Sequence, residues 1–278
     1  MLPRSLLYVP ANRPLLFAKA AAGPADAVVL DLEDAVPIAD KSTARLSVRE
    51  FLDSLPDVPN GAQIWVRVDP TSLDADVEAV VRLGLSGILL AKCSIDALDQ
   101  LAALLDRLEA ERGVTRLPVV GLVEDAAAIL SLADLARHHR LTTFAVGEVD
   151  LLGDLRLART PDTATAVVDL RLQVVLHAAA ARLPAPVAPT STDFRDLDTF
   201  ERSTRELVDL GFRSRTAIHP GQVPVIHHVL APDDGQIATA QDVLDRFNAA
   251  NGGVTVDANG RLIDAAVIRA ARETLQRA

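Results

Sequence analysis

Short apolar runs alternate with longer segments of helical period along most of this chain. The runs SLLYVP (5–10), AVVLDL (27–32), QIWVRV (63–68), GILLAK (87–92), PVVGLVE (118–124) and TTFAVGE (142–148) have the length and composition of buried strands. Two weaker runs, APVAPT (185–190) and TAIHP (216–220), complete a set of eight. Between the runs lie PLLFAKAAA, KSTARLSVREFLDSL, LDADVEAVVRLG, IDALDQLAALLDRLEAERG, AAAILSLADLARHH, ATAVVDLRLQVVLHAAAARL and LDTFERSTRELVDLGF. These read as helices, and several open on Asp, Ser or Thr and close near Gly. Eight strands alternating with helices predict an α/β fold, a (β/α)8 TIM barrel. A doubly wound open sheet would want G-x-G-x-x-G after the first strand, and that turn reads VPANRP, without a glycine.

The barrel is expected to occupy residues 1–230. Beyond it, DGQIATAQDVLDRFNAA predicts a helix, NGGVTVDANGRLID a hairpin with Asn-Gly turns, and AAVIRAARETLQR a last helix. Residues 231–278 are therefore expected to form a C-terminal helical and hairpin arm that covers the active site of the same or a neighbouring subunit.

Composition narrows the function. A net charge of −10 argues against a nucleic-acid coat or an anionic-membrane binder, while leaving room for a local basic pocket. The one cysteine, Cys93, rules out an internal disulfide and fits a reducing compartment. The start MLPRSLLYVP lacks a long apolar leader, and no run of 18 apolar residues occurs, so neither a signal peptide nor a membrane span is predicted and the cytoplasm is the expected location. Of 28 basic residues only Lys19, Lys41 and Lys92 are lysines, a scarcity that coding bias toward arginine explains.

Barrel enzymes keep their chemistry where strands end and βα loops begin. The polar residues there are Asp31, Glu33 and Asp34 after strand two, Arg67 and Asp69 after strand three, and Lys92 after strand four. Glu124 and Asp125 follow strand five, Glu148 and Asp150 strand six, and His219 strand eight. Asp34 and Asp125 have a competing use as helix caps. Carboxylates gathered from several strands around one arginine point to a divalent metal and an anionic substrate. Glu124 and Asp150, on adjacent strands, suit Mg²⁺, which is usually held by one or two carboxylates. A soft-metal site is not expected, because the pairs His138-His139 and His227-His228 lie in helical stretches without matching ligands.

The chain resembles the citrate lyase β-subunit-like (CitE-like) proteins of the HpcH/HpaI aldolase superfamily, relatives of malyl-CoA and citramalyl-CoA lyases. The resemblance runs through RSLLYVPANRP…FAKA, DAVVLDLEDAVP, VRVD, GILLAK, GLVEDA, GEVDLLGDL, LGFRSRTAIHPGQV and GRLIDAAVIRAA. It implies a homo-oligomer, often a trimer, that makes or breaks a carbon–carbon bond beside a CoA thioester with Mg²⁺, or Mn²⁺ in its place. The substrates implied are a 3-hydroxy-3-carboxyacyl-CoA, or acetyl-CoA and a 2-oxoacid in the reverse direction. Carried over by position, Glu124 and Asp150 are the metal ligands, Glu124 also facing substrate. Arg67 is the substrate and catalytic arginine, and Arg13 and Lys19 contact CoA. Asp264 is the acid–base aspartate, with a competing use as the N-cap of the last helix. Asp31, Glu33, Asp34 and Lys92 stand behind the metal ligands.

The chain departs from the family pattern in places. Asp69 stands where Asn is usual, LAK where LPK is usual, VED where IET is usual, and Ala188 where many relatives have Asp. Asp69 and Asp125 are expected to add negative charge near the metal and to discourage a second substrate carboxylate. Alternatives on the same scaffold are an acyl-CoA thioesterase or malate-synthase-like enzyme, and a non-catalytic lyase subunit.

Overall fold

Alternation along eight parallel strands decides which side chains enter the barrel. The computed structural model describes residues 2–55, 61–250 and 253–277. The strands are β1 (Ser5–Pro10), β2 (Ala27–Asp31), β3 (Gln63–Val68), β4 (Leu85–Leu90), β5 (Val119–Val123), β6 (Leu141–Val146), β7 (Val187–Ala188) and β8 (Ser214–Ala217). They pair in sequence order, and β8 closes on β1 with Ser5 opposite Arg215 and Leu6 opposite Thr216. The fold is a (β/α)8 TIM barrel.

Inward positions form one cluster, Leu6, Ala27, Val29, Trp65, Leu89, Val120, Leu122, Ala145 and Val187. Outward positions such as Val28, Leu30, Val66, Ile88 and Leu90 belong to a second, larger apolar cluster with the helices. The lumen accepts the indole of Trp65 because Gly87 stands opposite it on β4. A Cβ at Gly87 would lie 2.4 Å from Trp65 Cζ3.

The helices follow the strands: α1 (Phe17–Ala21), α2 (Lys41–Asp53), α3 (Leu73–Val80), α4 (Ile95–Arg112), α5 (Ala126–Leu130), α6 (Leu132–Leu135), α7 (Glu148–Asp154), α8 (Ala164–Ala180), α9 (Leu197–Asp209) and α10 (Gln222–Leu230). Local chemistry fixes several ends. Ser94 caps α4 by accepting the Ala97 N–H at 3.2 Å, and Gly113 ends it at φ +64°. Asp196 caps α9 through the Thr199 N–H at 2.9 Å.

Some boundaries differ from expectation. The stretch 126–139 is two short helices broken at Ser131 rather than one. The last strand is Ser214–Ala217 rather than 216–220, because its polar start disguises it. Arg215 there is buried, bonded to the carbonyls of Pro189 at 3.1 Å and Phe200 at 3.0 Å, with its guanidinium over the Phe200 ring.

The chain divides into two compact units, Met1–Ile226 and His227–Ala278. In the second, α11 (Asp234–Ala249) opens with a capping box between Asp233 and Gln236. A hairpin follows, β9 (Thr255–Val256) antiparallel to β10 (Leu262–Ile263), turning near Gly260 at φ +76°. The other Asn-Gly pair, Asn251-Gly252, lies outside the described residues. Helix α12 (Ala265–Arg277) completes a small core of Ala240, Val243, Ile263, Ile268 and Ala271. Among the described residues no helix is long and apolar enough to cross a membrane.

The packing of Trp65 gives a direct test of the lumen. Gly87→Ala should destabilise the barrel by about 1–3 kcal/mol, as overpacking does. Adding Trp65→Phe should recover part of that loss in denaturant titrations. Purely additive losses would show that the two side chains do not meet.

Candidate active site

Three strands turn polar at their C-terminal ends. Lumen positions run Ala27, Val29, Asp31 along β2, Trp65, Arg67 along β3, and Val120, Leu122, Glu124 along and just past β5. Alternation alone therefore carries Asp31, Arg67 and Glu124 into the barrel, and Tyr8 follows Leu6 on β1 in the same way. These side chains, with Asp34, Gly147, Asp150, Thr190, Thr216 and their neighbours, line a cavity of about 420 Å³.

Arg67 ties the acids together. Its Nε and Nη2 each donate to Asp31 at 2.7 Å, and its Nη1 lies 3.1 Å from Glu33 Oε2. A guanidinium has five N–H groups, of which the hydrogen bonds to Asp31 use two, while the ion pair with Glu33 lies on the Nη1 side. Burial opposes the Arg67 charge, but the hydrogen bonds and field of Asp31 outweigh it and raise the pKa. The ring of Tyr8 lies beside the guanidinium, its centroid 5.1 Å from the central carbon. Burial also raises the Tyr8 phenol above its ordinary value. The second oxygen of Glu33 accepts from Lys92 Nζ at 2.5 Å, a bond that raises the Lys92 pKa. Asp34 lines the cavity with its carboxylate largely in solvent, 3.8 Å from Lys92 Nζ.

Glu124 has a different environment. It is buried, its Oε1 accepts the Lys92 backbone N–H at 2.5 Å, and among the described residues no cation contacts it. Lys92 makes that bond from φ +44°, a left-handed conformation that non-glycine residues adopt at a cost. Gly147 leaves room for the carboxylate: a Cβ there would lie 2.5 Å from Glu124 Cβ and 2.6 Å from Oε2. Burial, with Glu33 and Asp150 nearby, pushes the Glu124 carboxyl up to about 7. Asp150, in the first turn of α7, is exposed on the cavity wall, and its carboxylate has no hydrogen-bond partner among the described residues.

Around this space the carboxylates of Asp31, Glu33, Asp34, Glu124 and Asp150 outnumber the cations Arg67 and Lys92. Among the described residues no three His, Cys, Asp or Glu side chains gather as a cage for an ion. Two hard oxygen donors beside open space still fit Mg²⁺, which completes its octahedron with water and substrate.

The family described as HpcH/HpaI aldolase/citrate lyase matches residues 4–220. The chain belongs to that family. A citrate lyase subunit beta from Leuconostoc mesenteroides subsp. cremoris is 29% identical, over 99% of this chain and 93% of its own length. A (3S)-malyl-CoA thioesterase from Cereibacter sphaeroides is 32% identical, over 99% of this chain and 94% of its own. Among solved structures, the protein CitE from Mycobacterium tuberculosis in complex with magnesium, acetoacetate and coenzyme A aligns with a TM-score of 0.76 at 27% identity, covering 99% of this chain and 97% of that one. Membership and relatives together indicate a lyase-type enzyme with CoA-related chemistry.

Other strand-end residues of this HpcH/HpaI family member serve the scaffold. Asp69 accepts from the Thr71 N–H at 2.9 Å and hydroxyl at 2.7 Å, and pairs with Lys41 at 3.0 Å. Burial would raise its pKa, but those bonds more than reverse that and lower it. Asp125 caps α5 through the Ala128 N–H at 2.7 Å. Neither lines the cavity, so the expectation that they add charge beside the metal is corrected: each carboxylate is spent on a loop or helix start. Asp34 caps no helix. Glu148 lines the cavity but is neutralised by Arg171, at 2.5 and 2.8 Å, and by Arg159. His219 does not line the wall; Ile218 takes that position, and the imidazole stacks on Phe194 with centroids 5.0 Å apart.

Arg13 and Lys19 are exposed on the segment after β1, with no ion pair among the described residues. Asp264, in the second unit, caps α12: its Oδ1 accepts the N–H groups of Ala266 at 2.8 Å and Val267 at 2.9 Å. Sequence reasoning passed over Tyr8, Gly147 and Thr190, and named Lys41 without giving it a role. Only Tyr8 left a signal there, its place two residues past the inward Leu6.

The environment of Glu124 sets a pH dependence of stability. Its carboxyl ionises near 4.5 ordinarily and near 7 in the folded, metal-free protein. Between those values the folded state keeps a proton that the unfolded state has lost. Its ionisation therefore costs stability progressively from pH 4.5 to 7 and by a constant amount above, up to about 3 kcal/mol. Thermal unfolding in chelator should show Glu124→Gln gaining on the wild type across that window and holding its gain above it. A difference that stays flat with pH would show that Glu124 is not desolvated.

Proposed function

We propose that the protein is a Mg²⁺-dependent carbon–carbon lyase acting on a 3-hydroxy-3-carboxyacyl-CoA thioester of the malyl-, citramalyl- or citryl-CoA type. Its products are a 2-oxoacid and acetyl-CoA, and the reverse reaction is a condensation. The observation that carries this reading is the pair Glu124 and Asp150, carboxylates without a cationic partner on a barrel cavity that also holds Arg67. Glu124 and Asp150 would hold Mg²⁺, with Mn²⁺ as a substitute, and the ion supplies Lewis acidity toward the substrate's carboxylate and hydroxyl oxygens.

In cleavage the hydroxyl gives its proton to solvent and the carbon–carbon bond breaks. The electron pair passes to the thioester α-carbon, its charge shared with the thioester oxygen. Arg67 is fixed by Asp31 and Glu33, so its remaining N–H groups are held as donors for that charge. Arg13 and Lys19 are assigned to the CoA phosphates, as exposed cations in a chain of net charge −10. Asp264 is assigned to protonate the α-carbon. Its cap uses Oδ1 for both backbone bonds and leaves Oδ2 for proton exchange. A homo-oligomer, a trimer by family resemblance, would let this aspartate serve its own or a neighbouring barrel.

Thioester hydrolysis is the second reading, favoured by the (3S)-malyl-CoA thioesterase relative. Cleavage leaves the thioester intact, whereas hydrolysis frees a thiol, so a thiol assay on a panel of acyl-CoAs separates them.

Chelation should abolish cleavage and Mg²⁺ restore it, while Glu124→Ala and Asp150→Ala stay folded and inactive. Full turnover in chelator would remove the metal from the scheme. Replacing Arg13 and Lys19 together with alanine should raise KM for the acyl-CoA far more than it lowers kcat. An unchanged KM would place the nucleotide elsewhere. Asp264→Asn separates cap from acid, because asparagine caps as well as aspartate. Unchanged melting with about a 10²-fold or greater loss of rate supports the proton donor. Retained rate leaves Asp264 a cap alone.

A further inference from the structure

We infer that the Tyr8 hydroxyl is a substrate-binding donor for the thioester carbonyl oxygen, an assignment that rests on the CoA-thioester reading above. The cavity wall is divided by charge. On the side of β2 to β6 it carries Asp31, Arg67, Glu124, Glu148 and Asp150. From β7 through β8 to β1 its side-chain polar groups are hydroxyls alone, those of Thr190, Thr216 and Tyr8. The two sectors suit different parts of one ligand. A carboxylate belongs with the charged sector and its cation. A thioester carbonyl is neutral before the bond breaks, and a neutral hydroxyl can meet it without first desolvating an ion.

The hydroxyl sector has unused hydrogen-bonding capacity. Thr216 Oγ1 donates to the Ala188 carbonyl at 3.2 Å. Thr190 Oγ1 is buried without a partner, and the Tyr8 hydroxyl bonds to no described residue. Tyrosine and tryptophan normally find a partner for their polar end when they are buried. Tyr8 is half-buried on the cavity wall, and with no partner among the described residues its hydroxyl is free to bond to what fills the cavity.

Position favours the thioester as that partner. Tyr8 lies on β1, whose following segment bears the exposed Arg13 and Lys19. A CoA held by those cations would feed its acyl end into the lumen past β1. There the phenol stands beside Arg67, with the ring centroid 5.1 Å from the guanidinium carbon. The phenol and the remaining Arg67 N–H groups can then address one oxygen, on which charge develops as the carbon–carbon bond breaks. Burial keeps the phenol protonated, as a donor requires.

The test deletes the hydrogen bond from each side. Titration calorimetry of the full chain in Mg²⁺ buffer would compare acetyl-CoA with S-ethyl-CoA, a thioether in which methylene replaces the carbonyl. The wild type should bind acetyl-CoA about tenfold more tightly. Tyr8→Phe should lose most of that preference and keep only what the Arg67 donors supply, with its affinity for S-ethyl-CoA unchanged from the wild type. The same preference in wild type and variant overturns the assignment, and so does a wild type without preference. Both of those outcomes leave the CoA reading standing. A wild type that binds neither ligand overturns the CoA reading itself, and this assignment with it. A wild type without preference decides against the assignment whatever Tyr8→Phe does to stability.

Discussion

Arg67 reaches into the barrel from β3 and cannot stay charged there alone, because a buried ion without partners loses several kcal/mol of hydration. The sheet supplies its first partner directly: Asp31 on β2 stands opposite Arg67 in the parallel register, and the two meet as a two-pronged pair. Removing one member of such a pair costs about 3–5 kcal/mol, since the other is left buried and uncompensated. Each further contact depends on this one. Glu33 can be buried because it faces Arg67 on one oxygen and Lys92 on the other. Lys92, held by Glu33, presents its backbone N–H to Glu124. Lys41 locks the loop from behind, donating to the carbonyls of Leu32 at 2.5 Å and Glu33 at 3.0 Å. Parts of β2, β3, β4 and β5 thus share one polar chain that sets the barrel mouth.

The acids of the barrel fall into two groups by how their charge is met. Asp76 is fully buried and pairs with Arg45 at 2.6 Å. Glu148 has Arg171 and Arg159, and Asp69 has Lys41. Such carboxylates hold elements together and leave little for a ligand. Among the described residues Glu124 and Asp150 have no such cation, although the same fold supplies arginines freely elsewhere. The contrast carries more weight than the number of acids, because a bare count would have included Asp69 and Glu148.

Much of this was legible in the sequence, and the limits have physical causes. Alternation of inward and outward positions made the strands and the barrel readable, and the acids at strand ends pointed to Asp31, Arg67 and Glu124. Asp69 and Asp125 were misjudged because an acid just past a strand has the same signature whether it faces a site or caps a turn. Asp69 stands one residue past β3 as Glu124 stands one residue past β5, and only the loop contacts decide between them: Asp69 turns to the Thr71 N–H and Lys41. The last strand was displaced because Arg215 is buried on its outward face, against the rule that charge lies outside. Gly147 was invisible because its role lies in what it omits, a Cβ that would strike Glu124. Tyr8 reads as one more apolar position in SLLYVP, and only the closed barrel puts its hydroxyl in a cavity.

Three local costs converge on Glu124. Its carboxylate is desolvated, one of its oxygens is held by a lysine in a left-handed conformation, and the neighbouring strand end gives up a side chain to admit it. Each lowers the stability of the fold, and a hydrocarbon at position 124 would avoid the desolvation of a carboxylate. Packing alone gives the fold no reason to keep them. A divalent cation held there, as proposed, would meet the charge that destabilises the site, and the cost to the fold would return as binding energy. Strain at Lys92 and space at Gly147 would then be parts of one arrangement that holds the carboxylate in place for such a ligand.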